Sequence, residues 1–169
     1  MKKERKHSGI RRVSMLLVIA LCLAFCACSS GPALSSEEPA YAGLEDIGLN
    51  YTISQSSFGN KFGKIKITVK GVPDGLKHIE FNDDYELEYT DYEGGEFSLC
   101  AQKEGSEEKP VGETYELSGK DKLSFMVDAD SFYDCYVGNE NGKYRIAKVV
   151  KGIDASGYET KYVAYFELL

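Results

Sequence analysis

Two acid-rich stretches are where this chain has side chains suited to chemistry. Asp128, Asp130 and Asp134 crowd a short span after an apolar run. Hard oxygen ligands at such spacing can hold Ca2+. Phe132 and Tyr133, however, stand where an EF-hand loop needs its glycine turn, so a polar loop is the competing reading. Asp83, Asp84, Glu86, Glu88, Asp91, Glu93 and Glu96 cluster in the second stretch. A glycosidase needs two carboxylates facing each other across a sugar, one of them held protonated in an apolar pocket. Alternation instead sends Glu86 and Glu88 toward water, where pairing with the lysines of Lys64-Lys66-Lys70 on an adjoining strand is the simpler use. His78 shares a strand face with Glu80, as a solvated pair would. No G-x-S-x-G, H-E-x-x-H or P-loop pattern occurs, and no catalytic residue is assigned.

The start of the chain carries a sharper signal. Met1-Lys2-Lys3-Glu4-Arg5-Lys6 and Arg11-Arg12 are basic, and Val13 to Ala27 is uncharged and rich in Leu, Ile, Val and Phe. A basic region followed by a short apolar core is the form of a secretory signal. The core falls short of the ~20 apolar residues that span a bilayer. Phe25-Cys26-Ala27-Cys28-Ser29-Ser30 resembles the lipobox of bacterial lipoproteins, with Phe25 and Cys26 departing from the usual aliphatic and small residues. The resemblance implies removal of residues 1–27, a diacylglyceryl thioether on Cys28, and a protein tethered outside the cell membrane. Two or more acyl chains make such an attachment stable. Ordinary cleavage near Ala27, releasing a soluble protein, is the rival. Residues 28–40 are rich in Ser, Pro, Gly and Glu, and predict a flexible linker. Residues 41–169 then form one domain of ordinary size.

With the leader gone, Cys100 and Cys135 are the cysteines left besides Cys28. An even pair facing an oxidising exterior predicts a disulfide. Two separate thiols, one or both buried, are the alternative. No Cys/His array suited to zinc occurs.

Charge narrows the partners. The chain has 20 Lys and Arg against 27 Asp and Glu, net −7. Six of those bases and one of those acids precede Cys28, which leaves 14 bases against 26 acids, net −12. So acidic a chain repels phosphate backbones, and nucleic acid and anionic lipid are poor partner expectations. The chain also has 12 Tyr, which suits protein or glycan recognition at a surface but equally suits β-sheet.

The elements that hold these residues read with a period of two. Ile65-Ile67-Val69, Tyr85-Leu87-Tyr89, Phe97-Leu99-Ala101 and Leu123-Phe125-Val127 each alternate with polar partners, as strands with one wet face do. Ile47–Ser54, Lys77–Phe81, Thr114–Leu117, Tyr133–Val137 and Lys143–Val150 are further strands. Lys161–Leu169 has apolar residues on both faces and predicts a central strand. Pro73-Asp74-Gly75, Gly94-Gly95, Asn141-Gly142 and Asp154–Gly157 mark turns. The expected fold is all-β: a single antiparallel β-sandwich, with a small barrel as alternative. Ile65–Pro73, and Tyr133-Asp134-Cys135 ahead of a glycine turn, weakly resemble bacterial immunoglobulin-like modules, which implies an Ig-like sandwich with a tyrosine corner.

The function these readings predict is non-catalytic: a lipid-anchored extracytoplasmic binding, adhesion or accessory protein. The alternatives are an envelope-associated carbohydrate-active enzyme using an acidic pair, or a structural subunit of an envelope complex.

Overall fold

The computed structural model describes residues 32–56, 61–91, 95–106, 112, 114–133 and 142–168. Nine strands are defined among them: β1 (Tyr51–Gln55), β2 (Ile65–Lys70), β3 (Leu76–Phe81), β4 (Glu86–Thr90), β5 (Ser98–Leu99), β6 (Tyr115–Ser118), β7 (Lys122–Val127), β8 (Lys143–Asp154) and β9 (Glu159–Glu167). One four-residue helix, α1 (Ala129–Phe132), follows β7. All strand pairings are antiparallel. The small sheet has the order β1-β2-β7, and the large sheet runs β5-β4-β8-β3-β6 with β9 also on β8. The two sheets pack together as the expected sandwich, and no closed barrel is found among the described residues.

The core lies between the sheets. Ile65, Ile67 and Val69 of β2 are fully buried against Ile79, Leu87, Leu117, Phe125, Ile146, Val150 and Phe166. The alternation read from the sequence therefore places the inward residues of β2, β4 and β7 correctly. Edge-to-face aromatic contacts tie the layers together: Phe125 meets Phe81 at 5.3 Å and Phe166 at 5.8 Å between ring centroids.

β8 is the axis of the large sheet. Its first half pairs with β4 and its last residues with β3, while β9 pairs along nearly its whole length. Both faces of β9 are indeed partly covered. Yet β8 is the central strand, because among the described residues no strand pairs with β9's far side, which meets a parallel bridge from Asp46 to Val163 and the Tyr51 hydroxyl. At Gly152 of β8 a Cβ would lie 2.8 Å from the Tyr162 ring of β9 and 2.9 Å from the Leu76 side chain of β3, so a larger residue would have to push these neighbouring side chains aside. The β8–β9 turn is built on Asp154, whose carboxylate accepts the N–H groups of Ser156 and Tyr158. The Pro73 turn also forms as expected, closed by Leu76 N–H to Pro73 O at 3.2 Å.

The stretch expected to be linker is shorter than the composition implied. The compact unit runs from Gly31 to Leu169. Ser35 N–H donates to Leu99 O, and Ala101 N–H to Ala33 O, both at 2.8 Å, so residues 33–35 extend the large sheet beyond β5. Residues 39–47 then cross the outer face of that sheet, where Tyr41 buries itself with Ala147 and Val163, packed by Leu44, Val149 and Tyr165. Backbone pairing and one aromatic anchor order a segment whose composition reads as spacer.

Candidate functional site

The Asp128–Asp134 stretch is structural where it is described. Asp128 caps α1, accepting the Ser131 N–H at 3.2 Å and the Ser131 hydroxyl at 2.7 Å. The Asp130 carboxylate clasps the chain before β2, accepting from Phe62 N–H at 3.2 Å and Gly63 N–H at 2.8 Å. Gly63 has φ 62°, and a Cβ there would lie 1.9 Å from Ser56 O, so the clasp needs glycine. The two expected calcium ligands thus serve separate sets of N–H donors. Asp134, the third, lies outside the described residues. Among the described residues no group of three or more His, Cys, Asp or Glu comes together as a metal would require.

The acid-rich stretch differs from expectation in its most informative residue. Glu88 does face outward from the sheet, but it is only 3% exposed. The lysines of β2 are not its partners, because β2 belongs to the other sheet. Its partner is Arg145, directly opposite on β8, whose Nε donates to Glu88 Oε2. The guanidinium is sandwiched between Phe97 and Tyr165, 4.0 and 3.8 Å from their ring centroids. Tyr41 closes the top. Burial, and then the Glu88 carboxylate beside it, push the Tyr41 phenol far above its ordinary range. Phe97 was expected in the core and Cys100 outside. The register with β4 reverses both: Leu99 pairs with outward Glu88, and Cys100 N–H donates to inward Leu87 O.

Cys100 is a free thiol, 2% exposed, and burial pushes its pKa up to about 12. Cys135, its expected disulfide partner, lies outside the described residues, as does Cys28. Tyr133 is buried, and its hydroxyl donates to Tyr85 O at 3.4 Å, 48 residues upstream. A tyrosine corner reaches only a few residues back, so this is a long-range brace of another kind. His78 and Glu80 do share a face of β3, 3.6 Å apart, with Lys151 Nζ 3.0 Å from Glu80.

One functional-looking residue escaped the sequence reading. Lys148 points between the sheets, 2% exposed. Its ammonium donates to Asp84 O at 2.6 Å and lies 5.2 to 5.8 Å from the ring centroids of Phe125, Phe81 and Tyr85. The clue was its phase: Lys148 falls on the same face as Ile146 and Val150.

Beside this buried cation opens a cleft of about 360 Å3, lined by Asp83, Tyr85, Tyr115, Ser124, Phe125, Met126, Asp128 and Phe132. Its wall is made of aromatic rings from β6, β7, α1 and the chain entering β4. Tyr85's hydroxyl is taken by Asp128 O at 2.9 Å, which fixes the ring. The cleft offers rigid aromatic surface with carboxylates at its rim, a combination suited to holding a ligand by stacking and hydrogen bonds.

The fold and cleft define a two-sheet antiparallel β-sandwich with an aromatic recess at one side. Compared with family models, with curated proteins and with solved structures, the chain has no match.

Proposed function

We propose that this chain is a lipid-anchored, extracytoplasmic binding protein whose ligand, a protein segment or glycan, enters the aromatic cleft. The anchor reading rests on the basic leader and the small residues around Cys28. The binding reading rests on one observation: Tyr85, Tyr115, Phe125 and Phe132 converge on a single recess rimmed by Asp83 and Asp128. Recognition suits this recess better than hydrolysis. Asp128 is exposed and already accepts two hydrogen bonds from Ser131, whereas an acid–base pair needs one carboxyl kept protonated by apolar surroundings.

Two measurements test the two halves. Metabolic labelling with a clickable fatty acid should mark the wild-type chain and spare Cys28→Ala; equal labelling of both ends the anchor. Screening against envelope oligosaccharides and peptides should yield a ligand whose affinity falls on the order of tenfold or more in Tyr115→Ala. A ligand indifferent to both Tyr115→Ala and Phe132→Ala would place recognition elsewhere.

A further inference from the structure

We propose that the outer face of the small sheet docks onto an anionic lipid surface, an inference that rests on the membrane tether proposed above. The three strands of this sheet contain no Asp or Glu, in a chain with 26 acids after its leader. Their outward residues are Thr52 and Ser54 on β1, Lys66, Thr68 and Lys70 on β2, and Lys122, Ser124 and Met126 on β7, with Lys64 just ahead of β2 in the same phase. Asp121 and Asp128 stand only beyond the two ends of β7.

Register makes the arrangement more telling. Lys70 and Lys122 are direct cross-strand partners. Like charges placed opposite each other on a sheet are destabilising. Among the described residues none of Lys64, Lys66, Lys70 and Lys122 has an ion pair to relieve this. The large sheet also sets two lysines opposite each other, Lys151 and Lys161. There, however, Glu80 and Glu159 lie 3.0 and 3.6 Å from the Lys151 ammonium. The small sheet lacks that compensation, and an external anion would supply it.

A membrane is the anion that fits. The face is broad and open, its hydroxyls line up from Thr52 through Thr68 to Ser124, and Met126, 57% exposed beside Lys66, offers an apolar side chain to the interface. Juxtamembrane lysines are attracted to anionic headgroups within a Debye length. Residues 33–35 are bound to the large sheet, so lipid on Cys28 would hold the domain at a membrane, where such attraction acts. The net negative charge that argues against anionic lipid is an average over the whole surface, and folding has segregated its signs.

The test uses residues 29–169, which contain the whole compact unit, without lipid on the chain. Co-sedimentation is measured with vesicles of equal parts phosphatidylglycerol and phosphatidylcholine, and with phosphatidylcholine alone. Binding to the anionic vesicles only, fading with salt, is expected. Lys66→Glu with Lys70→Glu should weaken it on the order of tenfold or more. Lys161→Glu, on β9, should change it by less than about twofold, with circular dichroism confirming that both variants fold. Equal binding to both vesicle types, or equal loss with Lys161→Glu, would overturn the assignment. So would capture by soluble polyphosphate without vesicle binding. If vesicle binding persists while Cys28 takes no lipid, the face stands and the anchor falls.

Discussion

The two outer faces of the sandwich treat charge in opposite ways. On the large sheet, Glu88 and Arg145 neutralise each other under Tyr41, Phe97 and Tyr165, and Lys151 sits between Glu80 and Glu159. Residues 39–47 are folded over part of that face, so it is finished within the molecule. On the small sheet four lysines of like sign face outward with no acid among them. The contrast teaches where to look for function. A face whose charges are satisfied internally maintains the fold, whereas one left unbalanced at a cost in stability points to something outside the chain.

The comparison breaks most visibly at Arg145. Arg145→Ala leaves Glu88 buried without its partner and should cost about 3–5 kcal/mol, read as a lower urea midpoint. Replacing the pair together, with Glu88→Gln and Arg145→Met, should restore most of that loss. A single variant as stable as wild type would mean that the pair is not buried as described.

On the small sheet the sign reverses. Lys70→Glu places an opposite charge across from Lys122 and should stabilise the domain by a few tenths of a kcal/mol to ~1 kcal/mol. The same substitution should weaken vesicle binding. Stability and binding moving in opposite directions is the signature of a face shaped for a partner, and a fall in both would contradict it.

The smallest effect is in the pH profile of the satisfied face. The Lys151 ammonium, by hydrogen bond and charge, holds the Glu80 carboxyl below its ordinary 4.5. That contribution is complete above pH 4.5 and is lost as pH falls through the lower, folded value. Conversely, Glu80 and then Glu159 raise Lys151 above its ordinary 10.5, so its share is complete below pH 10.5 and fades as pH rises further. Urea midpoints of wild type and Glu80→Gln should therefore run parallel between about pH 5 and 10 and converge outside it. Parallel curves at all pH values would show that the pair does not contribute.

The aromatic cleft and the buried Lys148 were only half legible in advance. Tyr85, Tyr115 and Phe125 read as strand residues, with nothing to say that they meet Phe132 around one recess, because β4, β6 and β7 converge only through the packing of two sheets. Lys148 was visible as a break in an inward apolar series, yet its acceptor, Asp84 O, is 64 residues away. The acids misled for the same reason: hydrogen-bond partners such as Gly63 for Asp130, or Arg145 for Glu88, are set by long-range register.

Local alternation was enough to establish the all-β class and the inward residues of β2, β4 and β7, since successive side chains in a strand point to opposite faces. The reading of residues 1–27 as a leader, and of Cys28 as its lipid acceptor, is carried by the sequence and its lipobox resemblance alone. Which strand is central, that Cys100 turns inward while Phe97 stacks outside, and how the lysines gather on one sheet and the ion pairs on the other were decided by strand order and register. Those depend on contacts between residues far apart in the chain, and a one-residue change in pairing inverts which face each side chain takes.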